Sequence, residues 1–139
     1  MIELIVVVAL IALAVGMISL ALRDPAATRL EQDAMRLAAL LESARAESRA
    51  SGLQVRWLPQ RVSDNEHFRF DGLPRASALP TQWLDAQVSA EVSGANSVLL
   101  GPEPLIGAQR IVLRLADQRL ELGTDGLGPF IISGDVPAP

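Results

Sequence analysis

The chain has 139 residues, no cysteine, one histidine and a formal net charge of −4. Without cysteine there is no disulfide framework and no thiolate metal site, and a single histidine argues against a transition-metal enzyme. All twelve basic residues are arginines and sixteen acids outnumber them, which disfavours a general nucleic-acid-binding surface because such surfaces are basic. Since half of the residues are apolar, we expect a folded chain.

The first element is a long uncharged segment. Residues 4–22 form a run of nineteen residues without a charge. As a helix this run extends about 28 Å, close to the roughly 30 Å thickness of a bilayer core. We therefore predict a transmembrane helix in residues 1–23. A cleaved secretory signal is disfavoured, because the three residues before the run include no base and the run exceeds the usual length of about 7–15 residues.

A helix break and a second helix follow the apolar run. Asp24 suits a helix N-cap and Pro25 suits the first helical position, so we predict the break there. Apolar residues then recur every three or four positions from Leu30, which predicts an amphipathic helix over residues 24–52 that ends at Gly52 and packs on the region after it. A partner-binding or membrane-surface helix is the alternative. The charged residues are expected largely outside the apolar stripe: Glu31, Asp33, Arg36, Glu42, Arg45, Glu47 and Arg49.

From Gly52 onward the apolar residues alternate with polar ones, as in strands. Residues 73–82 and 93–109 are expected to be loops. The sequence thus predicts an α+β fold: an N-terminal transmembrane helix continues into an amphipathic helix packed on an antiparallel β-sheet. Residues 53–139 are the β-rich part, and residues 24–139 form one globular unit. The short strands are predicted around Leu53–Trp57, His67–Phe70, Gln87–Val92, Ile111–Leu115, Leu120–Leu122 and Gly128–Ile132.

The sequence predicts no catalytic residue, no cofactor and no metal site. His67 has Asp64 and Glu66 nearby, and a catalytic base needs such an orienting acid, but this segment is typical of a solvated turn entering a strand. The glycines of residues 123–128 have no helix after them, which disfavours a phosphate-binding loop. The acidic loops lack the ligand spacing of an EF-hand calcium site. Both tryptophans are expected in or beside the core rather than on a ligand-binding surface. Since none of these features indicates a catalytic site, we predict a protein that is not an enzyme.

The start of the chain resembles a known superfamily. Ile2-Glu3-Leu4, running into an unbroken apolar helix, is similar to the start of type IV pilins and type II secretion pseudopilins, whose mature chains begin Phe-Thr-Leu-Ile-Glu-Leu after a cleaved basic leader. Met1 stands where the family has leucine. The resemblance implies an assembly role for Glu3, whose carboxylate would neutralise the N-terminal ammonium of a neighbouring subunit, since unpaired charges in hydrocarbon are costly. Taken alone, Glu3 also fits an interfacial charge favoured by the helix dipole.

Residues 1–4 are interpreted as the remnant of a processing motif. The Gly, Phe and Thr that precede this point in the family are absent from the sequence. We expect that the gene start lies further upstream, since the leucine codons TTG and CTG are read as methionine at a start. A basic leader, removed by prepilin peptidase before N-methylation, would keep the N-terminus cytoplasmic. By contrast Arg23 and Arg29, taken alone, would put the domain in the cytoplasm. The DNA upstream of the Met1 codon tests the hypothesis: without in-frame codons for a Gly-Phe-Thr-like sequence, it fails.

Two later segments of the sequence resemble one subgroup of this superfamily. Residues 36–45 on the second helix and residues 120–126 near the end are similar to the H-type minor pseudopilin of the type II secretion system. This resemblance implies a structural subunit of the pseudopilus that helps to export folded proteins across the outer membrane. The chain would cross the bacterial inner membrane once, with its C-terminal domain in the periplasm. Its partners would be other major and minor pseudopilins, the inner-membrane secretion platform and membrane lipid.

Two other functions remain open on the sequence. A minor pilin of a type IV pilus, serving assembly or DNA uptake, shares the same features. However, we expect no nucleic-acid partner, because acids interleave the C-terminal arginines. A monomeric membrane-anchored periplasmic binding domain is the third possibility, and it predicts that Glu3 is dispensable. The interleaved residues are Arg110, Arg114, Asp117, Arg119 and Glu121.

Overall fold

The computed structural model describes residues 1–21 and 24–133. Two helices come first, α1 (Ile2–Ala21) and α2 (Pro25–Ser51), and a short 3₁₀ turn (Arg75–Ser77) lies between the second and third strands. The predicted boundaries at residues 22–23 and the end of the β-rich part, residues 134–139, lie outside the described residues. The strands in the described part are β1 (Val55–Leu58), β2 (Arg69–Asp71), β3 (Ser89–Val92), β4 (Val98–Gly101), β5 (Gln109–Leu115), β6 (Gln118–Thr124) and β7 (Ile131–Ser133).

Helix α1 is apolar and its described side chains are exposed. All side chains of residues 1–17 face solvent, and Glu3 in the first turn is the only charged residue of the helix. Among the described residues, no helix qualifies by length and apolar character as a membrane span. The transmembrane helix predicted for residues 1–23 is therefore not confirmed by the structure.

The start and the end of α2 follow from local capping. Asp24 has extended backbone angles, and its Oδ1 accepts a hydrogen bond from the Ala26 N–H at 3.0 Å. Pro25 occupies the first helical position, where its missing N–H costs nothing. At the other end Gly52 adopts a left-handed conformation (φ 70°) and donates its N–H to the Ser48 carbonyl at 2.9 Å. A glycine accepts this conformation without strain.

The strands form two antiparallel sheets. One has three strands in the order β2-β1-β4, and the other has four in the order β3-β5-β6-β7. The Gln109 side chain joins them: its Nε2 donates to the Leu99 carbonyl and its Oε1 accepts from the Leu99 N–H, both at 2.8 Å. The predicted α+β fold with a helix packed on antiparallel strands is confirmed, but the single predicted sheet is corrected to two.

Strand β4 corrects another prediction. Residues 93–109 were expected to form a loop, yet Val98–Gly101 pairs with β1 and buries Val98 and Leu100 completely. The strand is only four residues long and lies between turn-forming residues and a proline. Apolar residues that alternate over only four positions are too weak a signal to distinguish a strand from a loop.

The core lies between α2 and the two sheets. Four aromatic side chains form one cluster at its end, with ring centroids 4.7 Å apart for Phe68 and Trp83 and 5.8 Å for Trp57 and Phe68. Trp57 is fully buried and Trp83 is 6% exposed, so the prediction that both tryptophans belong to the core is confirmed. The apolar stripe of α2 packs against this core through Leu30, Ala34, Leu37, Leu41 and Ala44.

The turn between β5 and β6 contains a strained alanine. Ala116 and Asp117 connect the two strands, and Ala116 has φ 53°, a conformation that favours glycine at the first central position of a hairpin turn. Replacing Ala116 with glycine is expected to raise the free energy of unfolding by about 1 kcal/mol. Urea denaturation measures the gain. The matched control, Asp117→Gly, should give no gain, and equal effects of the two changes would contradict the assigned strain.

Candidate assembly surfaces and the loops that support them

The N-terminal residues singled out by the sequence lie together at the free end of α1. Glu3 occupies the first turn of the helix, where an acid interacts favourably with the helix dipole. Met1, Ile2 and Leu4 around it are exposed, at 71% or more of their surface. Within the described part of the chain, Glu3 has no ion-pair partner. Asp24 and Pro25 lie at the start of α2, so the predicted site residues are not brought together.

Helix α2 has a second face that the sequence reasoning missed. Opposite the buried stripe, exposed residues without charge recur every three or four positions along the helix. Met35 is the largest of them and is 60% exposed. The small residues of this face permit close approach of another helix, although small residues alone do not specify a partner. The members of this uncharged face are Gln32, Met35, Ala39, Ser43, Ala46 and Ala50.

A buried arginine fastens the turn between β6 and β7 to α2. Arg45 is 1% exposed, and its guanidinium donates to the Gly126 and Gly128 carbonyls at 2.8 Å each. Longer contacts of 3.4 Å reach the carbonyls of Pro104 and Leu127. These bonds tie two loops to one helix, and they join the two segments, residues 36–45 and 120–126, on which the H-type resemblance rests.

Glu42 supports the same junction from one helical turn away. Its Oε1 lies 3.7 Å from the Arg45 guanidinium and accepts the Phe130 N–H at 3.1 Å. The Glu42 side chain is 37% exposed, so this carboxylate remains partly hydrated while Arg45 is enclosed. The carbonyl oxygens, rather than the ion pair, therefore satisfy most of the Arg45 donors.

The turn itself is held by short side chains. Thr124 Oγ1 donates to the Gly128 carbonyl at 2.8 Å and accepts the Gly126 N–H at 3.0 Å. The Gly128 and Leu127 N–H groups donate to Asp125 Oδ1 and hold the pKa of the Asp125 carboxyl below its ordinary value. Because the pKa is lowered by folding, this carboxylate stabilises the turn above the ordinary aspartate pKa. The contribution is lost as the pH falls through the folded-state pKa.

A buried aspartate fixes a second loop. Asp33 is fully buried, and its two carboxylate oxygens accept the Leu84 N–H at 2.7 Å and the Asp85 N–H at 3.2 Å. Asp85 also pairs with Arg29 at 3.5 Å. Gln82, just before these loop residues, is held in the same way, since Arg36 donates a hydrogen bond to its carbonyl. The loop after the aromatic cluster is thus held along one side of α2.

Removing the Asp33 carboxylate tests this support. Asp33→Ala leaves two backbone N–H groups without their acceptor, and we expect the free energy of unfolding to fall by about 3 kcal/mol. Thermal or urea unfolding followed by tryptophan fluorescence measures the loss, because Trp83 adjoins the loop. Glu31→Ala is the matched control on the exposed side of α2 and should change stability by less than about 0.5 kcal/mol. A loss for Asp33→Ala no larger than the control would contradict this role.

His67 is a structural residue and not part of a solvated turn. It is 5% exposed, which corrects the sequence interpretation. Its Nδ1 accepts the Trp83 N–H and its Nε2 faces the Asp64 carbonyl, both at 2.9 Å, so Nε2 carries the proton of a neutral ring. Both ring nitrogens are therefore occupied by backbone groups, and Asp64 contributes its carbonyl instead of an orienting carboxylate. This geometry offers no base for catalysis.

Asp33 and Arg45 are among the charged residues that the sequence predicted to lie largely outside the buried stripe. Their spacing nevertheless placed them on it, since Asp33 follows Leu30 by three positions and Arg45 follows Leu41 by four. A charge at such a position is buried only when it has hydrogen-bond partners, and the partners lie more than fifty residues away in sequence. Within the described residues, no group of three or more potential ligands is placed to hold a metal ion.

Comparison with known proteins places this architecture in a fold class. The α+β arrangement of a long N-terminal helix packed on antiparallel sheets is a pilin-like fold. A solved structure that shares it is the type IV minor pilin FimU of Pseudomonas aeruginosa, with a TM-score of 0.56 and 12% sequence identity. The match covers 77% of this chain and 90% of FimU. No protein-family model matches the sequence, and no curated protein matches it either.

At this level of identity the similarity establishes the fold alone. The pilin-like fold that the resemblance implied is confirmed, while membership of that superfamily stays a prediction. The narrower assignment to the H-type pseudopilin stays a prediction. The roles predicted for Met1, Ile2, Glu3 and Leu4 also stay predictions.

Proposed function

We propose that the chain is a minor, structural subunit of a pilin-like filament, with α1 as its assembly element. The observation that supports this most directly is the character of α1: an apolar helix whose described side chains are exposed, with one acid in its first turn. Such a surface is costly in water, at roughly 25 cal/mol per Å² of apolar area, and needs a covering environment. Neighbouring helices and lipid both provide one.

We assign the uncharged face of α2 as a second surface on which other subunits pack. Its residues are exposed along the length of the helix, while the opposite stripe is buried against the sheets. Arg45 and Asp33 bond two loops of the domain to α2, so a subunit that packs on α2 also positions the domain. These features suit a subunit whose helix packs among other helices and whose domain lies outside that bundle.

For location, we propose a single crossing of the bacterial inner membrane by residues 1–23, with residues 24–139 in the periplasm. The uncharged run of residues 4–22 supports the crossing. Flotation of the full chain with lipid vesicles and protease protection in spheroplasts test it. Either of two results would exclude this location: a chain that is absent from the floated lipid fraction, or a domain that protease added to spheroplasts does not cleave.

As the specific system, we propose the pseudopilus of type II secretion, with the other pseudopilins and the inner-membrane platform as partners. The similarity of residues 36–45 and 120–126 to the H-type subunit supports this choice, and Arg45 joins those two segments in space. Prepilin peptidase is a further proposed partner if an upstream leader exists, since it would remove that leader. No catalytic activity, cofactor or nucleic-acid ligand belongs to this proposal.

The second candidate is a minor pilin of a type IV pilus. It is favoured by one specific observation, the structural similarity to FimU, which is described as a type IV minor pilin. Deleting the gene separates the two systems. Loss of hydrolase export to the medium, with motility intact, supports the pseudopilus. Loss of twitching or transformation, with export intact, supports the pilus. A deletion that changes neither would favour the anchored periplasmic domain.

A further inference from the structure

Two loops meet at the end of the four-stranded sheet that is distant from the start of α2. The Ile106 N–H donates to the Gly126 carbonyl at 3.3 Å. Gly126 has φ 100°, and a Cβ at this position would lie 2.8 Å from backbone atoms of Gly107. The loops, residues 102–108 and 125–129, are therefore in direct backbone contact.

The distance from the start of α2 follows from the β5–β6 hairpin. Gln118 at its turn donates a side-chain hydrogen bond to Asp24 at 3.2 Å, so this end of the sheet adjoins the start of α2. Strand β6 then runs seven residues to Thr124, or about 23 Å at the usual rise. The paired loops lie at the far end.

Each loop presents an exposed leucine. Leu105 is 60% exposed and Leu127 is 69% exposed, although the backbone of both loops is fixed by Arg45. Single exposed leucines are ordinary on protein surfaces. Two on adjoining, rigid turns form a preorganised apolar surface, because binding to them costs little further loop entropy. We call Leu105 and Leu127, with the flanking Glu103 and Asp125, the twin-loop patch.

The charges around the leucines are acidic. Glu103 and Asp125 are exposed. In the part of the chain that the structure describes, Asp125 Oδ1 accepts hydrogen bonds from the Leu127 and Gly128 N–H groups, while Oδ2 accepts none. The nearby arginines are engaged: Arg45 is enclosed by carbonyls, and Arg110 pairs with Glu121 at 3.6 Å. A partner that covers the leucines therefore meets two carboxylates at the rim.

We infer that the twin-loop patch is a docking surface for a protein segment that presents an apolar side chain next to an arginine or lysine. The apolar group covers Leu105 and Leu127, and the cation meets Glu103 and Asp125. Charges at the rim of an interface chiefly set the association rate and partner choice, while the buried apolar contacts set the lifetime. The inference goes beyond the proposed function, because neither α1 nor Glu3 takes part in it.

Site-specific photo-cross-linking of the full chain in its host cells tests the inference. Benzoylphenylalanine replaces Leu127 in one strain and Leu105 in another. The control strain carries it at Val62, which is 57% exposed and lies outside the twin-loop patch. We expect a discrete protein adduct from both leucine positions, at about ten times the yield of the control. Mass spectrometry of the adduct should identify a segment with an apolar residue beside arginine or lysine.

The charge requirement is tested with Glu103→Arg combined with Asp125→Asn in the cross-linking chain. The asparagine keeps an Oδ1 acceptor for the turn, so the loops should remain folded, and thermal unfolding checks this. We expect the adduct yield to fall about tenfold. Glu31→Arg, an exposed acid on α2, is the matched control and should leave the yield unchanged.

Several results would overturn the inference. The first is an equal adduct yield at Leu127 and Val62. The second is an adduct with lipid, with a second copy of this chain or with an acidic segment. The third is an adduct yield that the charge variants do not change. The deletion phenotypes bear on the proposed function and the cross-link yields bear on this surface. Failure of one is therefore distinguishable from failure of the other.

Discussion

Arg45→Ala is expected to lower the free energy of unfolding by about 4 kcal/mol. The substitution removes two donors that lie 2.8 Å from the Gly126 and Gly128 carbonyls and leaves those oxygens enclosed without partners. It also removes a side chain that is among the largest fully buried ones in the described chain. A loss of this size is a large fraction of the stability of a small domain, so partial unfolding at 37 °C is expected.

Urea unfolding, followed by tryptophan fluorescence, measures this loss. Arg49→Ala is the matched control, since Arg49 is an exposed arginine one turn further along α2. It should change stability by less than about 0.5 kcal/mol. Arg45→Lys should recover only part of the loss, because an ammonium cannot span the two carbonyls as the planar guanidinium does. If Arg45→Ala behaved like Arg49→Ala, the turn would not depend on this contact.

Glu3→Ala is expected to abolish incorporation into filaments while leaving the fold intact. Glu3 is exposed in the first turn of α1 and is not part of the hydrophobic core cluster, so its removal should not change the thermal unfolding midpoint. In an assembled helical bundle, loss of the carboxylate would leave a neighbour's ammonium unpaired in hydrocarbon, a cost of several kcal/mol. We expect incorporation to fall by about a hundredfold or more, which corresponds to roughly 2.7 kcal/mol.

The effect is measured by the amount of variant chain in purified filaments, relative to the membrane fraction of the same cells. Glu31→Ala is the matched control, a glutamate on the exposed surface of α2. Normal incorporation of Glu3→Ala would contradict the assembly role. Glu3 would then be an interfacial charge that interacts only with the dipole of its own helix, worth about 0.3–1 kcal/mol.

The elements governed by local rules could be predicted from the sequence. The buried apolar stripe of α2 follows from its periodicity, and the antiparallel strands from alternation between turns. The pilin-like fold was reached mainly through resemblance, because no local pattern specifies how a helix crosses two sheets. Strand β4 escaped prediction because four residues with two buried side chains, Val98 and Leu100, give too short a periodic signal.

The supports of the loops could not be predicted in the same way. Asp33, Arg45 and His67 are buried because backbone groups distant in sequence satisfy them. Aspartate and arginine as residue types favour solvent exposure, and histidine is intermediate. The partner carbonyls and N–H groups belong to loops, whose positions are set only after the sheets are paired. Glu3 is the reverse case: its proposed role depends on other subunits, and neither the sequence nor the fold of one chain contains them.

The most direct test of the central claim is to isolate filaments from the native host and analyse their composition by mass spectrometry. The full locus should be expressed with and without prepilin peptidase. The account predicts that the chain is present in small amounts relative to the main subunit. It should carry a processed, methylated N-terminus only when the peptidase is present. A chain that is absent from filaments, remains a monomer in detergent and has the same mass in both strains would contradict the account.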